Sequence, residues 1–341
     1  MNIEKVSLRI GALAVVCAVL LRLGSDGGIG TMVKALSSPE AVSVMLYLET
    51  GRVVKPAQPE ALLQSAEPEG QTEPEQSAQT REDITLPVFS QGDAALVSVN
   101  SVCGYSADLP ALLQKPLSWN LKQDAPTVLI LHSHGTESYT KTEDYTESSA
   151  YRTLDTGYNM VSVGAELKRV LEEGGIRVIH DTTPHDYPSY SKSYSHAREQ
   201  IKAYLKENPT ISLVLDLHRD SVENSAGKQL VFTTQWEGKS VAQLMMVVGT
   251  NANGLSHPNW PDNMALAVKL HALLEKNCPG ICRPISFRSQ RFNQDLSPGA
   301  MLIEVGSAGN TRQQALEAVK ILGQAILDLS HGAAPTEDST K

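Results

Sequence analysis

The sequence predicts an α/β domain built on a largely parallel central sheet with helices on both faces, preceded by a membrane anchor and a disordered tether. Three observations carry that prediction. From about residue 100 to 331, short apolar runs alternate with amphipathic stretches, the rhythm of strand and helix units. The runs are apolar almost throughout rather than at every second position, as expected of strands covered on both sides. Several of them end on a histidine or a carboxylate, and open α/β sheets place their sites at the carboxyl ends of strands.

Strands are expected at 127–132, 176–180 ("IRVIH"), 211–217, 241–248 ("VAQLMMVV") and 300–305 ("AMLIEV"). Helices are expected at 158–173, 193–207, 262–276 and 311–329, each with apolar residues near a 3.6-residue period. Gly174 and Gly175 stop the first of these helices before the next strand. The domain therefore spans 100–331, and 332–341 is a disordered tail.

Ahead of the domain, residues 1–28 carry Lys5 and Arg9, an uncharged apolar run from Ile10 to Leu21, and Arg22. The run is shorter than the roughly 20 residues of an ideal span, but the flanking arginines can reach the headgroups. No A-x-A type site follows it, and Val16 rather than a small residue precedes Cys17, so a retained anchor is favoured over a cleaved signal. Residues 29–54 form a juxtamembrane segment. Residues 55–99 are rich in Pro, Glu and Gln and read as a disordered tether to an extracytoplasmic domain.

With 38 acidic against 29 basic residues, the chain lacks the basic footprint that nucleic acid demands. Its four cysteines are too scattered for a disulfide framework or a four-thiolate zinc site, although Cys278 and Cys282 in "CPGIC" could close a local bridge.

The chemistry concentrates at three strand ends. His134 lies just past the first strand, His218 at the end of the third, and Glu304 near the end of the last. Two imidazoles with a carboxylate suit a catalytic zinc site, which needs three N or O ligands and an open water position. A further carboxylate must take the water's proton and pass it to the leaving amine. Glu304, on an otherwise apolar strand, is placed for that role, since a charge there is costly unless used. His132 shares strand parity with His134 if the chain stays extended, and reads as support rather than ligand. Asp216 either orients His218 or makes a buried structural hydrogen bond. His180, His185, His196 and His257 read as structural or exposed. A serine hydrolase using Ser133 or Ser138 with His218 is disfavoured, because no G-x-S-x-G elbow is present.

The stretches "VLILHSHGTESY", "NMVSVGAELKRVLEEGGIRVIHDTTPHDYPSYSKSYSHAREQI", "LVLDLHRDS" and "RFNQDLSPGAMLIEVGSAGNT" together resemble the stage II sporulation protein P family over roughly residues 125 to 330. The resemblance implies a membrane-anchored peptidoglycan hydrolase of endospore-forming bacteria, related to zinc-dependent N-acetylmuramoyl-L-alanine amidases. It implies His134 and His218 as Zn2+ ligands and Glu304, in "EVGSAGN", as the catalytic residue. The middle ligand departs from the superfamily pattern, since no glutamate stands just before the helix at 158. Asp155, four residues before Asn159, holds the similar place and is the expected ligand; Glu137, three residues after His134, is the alternative. Arg198 resembles a superfamily position, with a helix-surface salt bridge as the plainer role. The resemblance further implies a second activity on peptide crosslinks, action at the sporulation septum and engulfing membrane, and sporulation proteins D and M as partners. A non-catalytic wall-binding scaffold of the same membrane complex is the alternative function.

Overall fold

The computed structural model of the protein describes residues 89–330 other than 118, 120, 147 and 149. The anchor expected over 1–28, the segment 29–54, most of the 55–99 tether and the 332–341 tail lie outside the described residues. Among the described residues, no helix is long and apolar enough to cross a membrane.

The chain runs β1 (Val99–Ser101), α1 (Leu109–Gln114), β2 (Val128–Leu131), α2 (Met160–Glu173), β3 (Val178–His180), α3 (Ser193–Glu207), β4 (Leu213–Asp220), β5 (Thr233–Trp236), β6 (Lys239–Ala242), β7 (Leu244–Val248), α4 (Trp260–Asn277), β8 (Ile285–Phe287), β9 (Ala300–Ser307) and α5 (Arg312–Ser330). Seven strands form the main sheet in the order β1-β8-β7-β9-β4-β2-β3. Every described neighbour pair is parallel except β7 with β9. The sheet is therefore mostly parallel, as its apolar runs predict.

Alternation along the strands separates two faces. Val128, Ile130, Leu213, Leu215, Leu217, Met301 and Ile303 pack into the large core with residues of α2, α4 and α5, among them Leu167, Leu270 and Leu322. Leu129, Leu131, Val214 and Ala300 meet Ala197 and Ile201 of α3 on the other face. That second cluster is small, and further along the same strands its face is given over to polar groups. Asp216, His218 and Glu304 stand there, with His218 and Glu304 paired in register across β4 and β9.

The local signals act as expected at α2. The Asn159 side chain accepts the Val161 N–H at 3.0 Å and caps its start. Gly175, at φ +84, carries the left-handed step beyond its end. Elsewhere the structure departs from expectation. The single strand expected at 241–248 breaks at Gln243: β6 turns back on β5 as an antiparallel hairpin, while β7 alone joins the main sheet. Phe89 and Ala94 already pack against the core, so the folded part begins within the segment read as tether. β1 at the sheet edge and β8 beside it are only three residues long, too short to leave a periodic signal.

His132 lies beneath α2. Its Nδ1 donates to the Leu217 carbonyl at 3.0 Å, which leaves Nε2 to accept from His180 Nε2 at 2.9 Å. Burial lowers His132 to about 3 and His180 to about 4, so both rings are neutral at physiological pH. The pair fits only because residue 164 is glycine: a Cβ there would stand 2.5 Å from His180 Nε2 and 2.6 Å from His132 Nε2. Gly164→Ala gains about 1 kcal/mol of helix propensity but forces the imidazoles apart at the typical overpacking cost of about 1–3 kcal/mol. A net loss of stability in urea unfolding is expected; an unchanged or raised midpoint would contradict this packing.

Candidate metal centre

After β2 the chain does not stay extended. Residues 133–136 form a turn, and the Glu137 N–H donates to the His134 carbonyl at 3.1 Å. His132 and His134 therefore part company, one under α2 and the other toward α3. The same turn brings Glu137 back between two imidazoles. Its Oε1 lies 3.5 Å from His134 Nδ1 and its Oε2 3.6 Å from His218 Nδ1. One ligand atom from each of His134, Glu137 and His218 lies within 4.8 Å of the others. All three side chains are largely covered, at 12%, 6% and 3% exposure.

Burial of the Glu137 carboxyl would favour its neutral form. The Arg219 guanidinium and hydrogen bonds from His134 and His218 outweigh that penalty and hold it well below the usual carboxylate range. The Arg219 backbone N–H donates to Oε2 at 3.2 Å, and Arg152 Nη2 donates to Oε1 at 3.4 Å. His218 shows the mirror case: burial pushes it down, but Asp216 and Glu137 hold it well above the ordinary imidazole value. Its Nε2 stands 2.9 Å from Asp216 Oδ1, yet without hydrogen-bond alignment, so that contact is chiefly coulombic. Asp216 is fixed from beneath by the Ser133 N–H at 2.7 Å and by the Ser133 hydroxyl.

Glu304 sits beside His218 where β9 takes a bulge. His218 pairs with Glu304 but Asp220 pairs with Ser307, so β9 carries one residue more than β4 over that interval. Gly306 absorbs the kink at φ +67, where a Cβ would stand 2.7 Å from Asn310 Oδ1. Asn310 Oδ1 in turn accepts the Ser307 N–H at 2.9 Å. That is the physical content of "EVGSAGN". The Glu304 residue is only partly covered, but its Oε2 is sealed from solvent without a hydrogen-bond partner. Burial accordingly raises its carboxyl to about 8.

Aromatic rings close the centre from the α3 side. Tyr190 stacks on His134 at 4.5 Å, and Tyr194 meets the same ring edge-on at 5.4 Å. The start of α3 is held in place by Asn293 Nδ2 donating to the Tyr194 carbonyl at 2.8 Å and by Arg198 gripping Asp295 at 2.9 and 2.7 Å. Arg198 thus takes the plainer of its two expected roles.

Asp155 is not brought to the cluster. It is exposed in the turn before α2, where its Oδ1 accepts the Gly157 N–H at 2.9 Å, and Glu137 occupies the place expected of it. The correction has a simple cause: Asp155 is engaged in its own turn, whereas the turn after β2 folds Glu137 inward. Among the described residues no hydrogen bond joins Ser133 or Ser138 to a histidine; Ser133 serves Asp216 and Ser138 accepts from Tyr145 at 2.9 Å. His185 pairs with Asp181 at 3.0 Å, away from the cluster. Cys278 and Cys282 are free thiols. Sequence reasoning missed Arg219 and Arg152. The signal available for Arg219 was its place directly after His218.

Two imidazole nitrogens and an ionised carboxylate are the N and O donor set of a catalytic zinc site with one position open. The 3.5 and 3.6 Å spacings are close to the roughly 3.3 Å that ligands about 2 Å from a tetrahedral ion keep, so the residues present fit Zn2+.

Comparison with known proteins agrees with the sequence resemblance. A Stage II sporulation protein P (SpoIIP) family profile matches residues 34–327. A protein named Stage II sporulation protein P from Bacillus subtilis (strain 168) is 29% identical over 205 residues, covering 56% of this chain and 48% of that one. The chain thus spans about half the length of that relative. Similar solved structures include the N-acetylmuramoyl-L-alanine amidase AmiC2 of Nostoc punctiforme, at 14% identity and TM-score 0.34 over 61% of this chain and 94% of that one. Another is the catalytic domain of the amidase CwlV from Bacillus (Paenibacillus) polymyxa var. colistinus, at 14% identity and TM-score 0.36 over 60% and 94%. The family profile covers most of the chain, and the chain belongs to the Stage II sporulation protein P family.

Proposed function

We propose that this chain is a zinc-dependent peptidoglycan hydrolase that cleaves the amide between N-acetylmuramic acid and L-alanine during septal wall remodelling in sporulation. The observation that carries the proposal is a buried, ionised Glu137 set between His134 and His218, with the unpaired carboxyl of Glu304 alongside. His134, Glu137 and His218 would hold the ion. When bound, Zn2+ lowers the pKa of a water toward about 7 and polarises a carbonyl. Glu304 takes the proton of the attacking water and returns it to the leaving amine nitrogen. Burial raises its affinity for protons, so once ionised it is a stronger base toward the attacking water than an ordinary carboxylate. Asp216 holds His218 in orientation, and Tyr190 and Tyr194 limit water on the α3 side.

Family membership supports the wider setting. We place the enzyme on the outer side of the sporulation septum and engulfing membrane, anchored by the N-terminal segment, with sporulation proteins D and M as partners. We also assign it activity on stem-peptide crosslinks. Mass analysis of muropeptides after digestion of purified wall, with and without a chelator, tests bond, reaction class and metal dependence together. Released stem peptides beginning at L-alanine, lost on chelation, are expected; undigested wall or chelator-resistant cleavage would refute the proposal.

Two substitutions separate the roles. Glu137→Gln should weaken zinc binding by more than the roughly 10–100-fold typical of outer-sphere losses, whereas Asp155→Ala should leave bound zinc unchanged. Zinc content after dialysis against a chelator reads both. Glu304→Gln should keep its zinc and lose about 10²–10⁴ in rate, the range expected for removal of a general acid-base group; a fully active variant would remove Glu304 from the mechanism.

The same carboxyl makes a pH prediction for the metal-free protein. Its value in the fold, about 8, exceeds the ordinary 4.5. Between those values the native state keeps a proton that the unfolded chain releases, so this group lowers stability as pH rises through the window. Glu304→Gln removes that slope. Its melting temperature should exceed the wild type's by a margin that grows from pH 4.5 to 8; a constant margin would show that burial does not raise the group.

A further inference from the structure

Arg219 directly follows His218 on β4, so successive side chains on one strand point to opposite sides. His218 turns toward Glu137 and α3. Arg219 is 5% exposed and reaches the loop that carries Glu137. Its Nε donates to the Ser138 carbonyl at 2.9 Å, its Nη2 to the Tyr151 carbonyl at 2.9 Å, and its Nη1 lies 3.5 Å from Glu137 Oε1. Its backbone N–H holds the other carboxylate oxygen, Oε2, at 3.2 Å. Tyr151 stands at φ +50, a conformation uncommon for a bulky side chain, and its carbonyl also accepts the Ser138 N–H at 2.9 Å. One guanidinium thus ties Ser138 and Tyr151, at the two ends of the loop, and the Glu137 carboxylate just before it to the strand that supplies His218.

We propose that Arg219 is the positioning residue of the metal centre, setting the orientation of Glu137 relative to His134 and His218 and so the affinity and geometry of the bound ion. The proposal rests on the zinc reading above. Arg152 contrasts with it: its side chain is 27% exposed, its Nη1 is committed to Asp186 and Thr136, and only Nη2 touches Glu137, at 3.4 Å. Removing a cation from beside a metal site favours metal by charge alone, so a neutral substitution mixes two opposing effects. Arg219→Lys keeps the charge and loses the planar fork that spans two carbonyls and a carboxylate, which isolates geometry.

The experiment measures zinc affinity of the purified protein by competition with a chromophoric chelator, the visible spectrum of the Co2+-loaded protein, and the melting of the metal-free form. Arg219→Lys should weaken zinc about 10–100-fold and change the Co2+ spectrum, while Arg152→Lys shifts affinity by less than about threefold. Affinity within about twofold of wild type with an unchanged Co2+ spectrum overturns the proposal, as does a tighter site, which would make Arg219 a counter-charge only. Should Arg219→Lys not fold, Arg219→Gln is read by its Co2+ spectrum alone, because its zinc affinity carries the lost charge as well. An unchanged spectrum overturns the proposal, and failure of both variants to fold assigns Arg219 to the fold and overturns the positioning role. Wild-type protein that binds no zinc defeats the zinc reading itself, a result distinct from all of these.

Discussion

A carboxylate buried at the edge of a sheet stays ionised only if cations and hydrogen-bond donors surround it, and Glu137 is surrounded. Two imidazoles face its oxygens, and two guanidinia approach from the remaining sides. Desolvation of a lone carboxylate would drive it to protonate; here the opposing charges win. The neighbours depend on Glu137 in return. His218 is kept charged in the metal-free state by Asp216 and Glu137 together, and the turn after β2 is closed by the Glu137 backbone. A divalent ion bound there would compete with the proton on His218.

The sheet sets where this cluster stands. β2 and β4 run parallel and adjacent, so their carboxyl ends deliver His134 and His218 to the same edge. β9 runs parallel to β4 and puts Glu304 in register with His218. Had β9 continued without its bulge, the residues after Glu304 would have kept strand alternation. The bulge at Gly306 instead lets the chain turn onto Asn310 and α5 while Glu304 remains on the α3 face. Glu304 and Glu137 make an instructive contrast: neighbouring carboxyls, one stabilised as an anion by contacts, the other raised by burial without a partner. Environments that push two carboxyls apart assign them different work, one holding charge and one carrying protons.

The parts legible in sequence are those fixed by local pattern. The apolar runs of β2, β4 and β9 and the periods of α2, α3 and α5 declare a covered, mostly parallel sheet, and strand ends carry His134, His218 and Glu304 to one edge. What sequence could not decide depends on how loops return. Asp155 and Glu137 are both plausible from spacing, and only the turn at 133–136 selects between them. Arg152, Tyr190 and Tyr194 reach the centre from segments whose order in the chain says nothing of their meeting. β1 and β8 are too short to show a period, and the apolar run across Gln243 hides a change from hairpin to sheet.

The central claim is that Glu137, and not Asp155, completes the centre with His134 and His218. A crystal of the zinc-loaded protein, with anomalous scattering recorded on both sides of the zinc absorption edge, tests it most directly. The account predicts one strong peak about 2.0–2.2 Å from His134 Nδ1, His218 Nδ1 and a Glu137 carboxylate oxygen. A peak held by Asp155, or no peak between the two histidines, would contradict it.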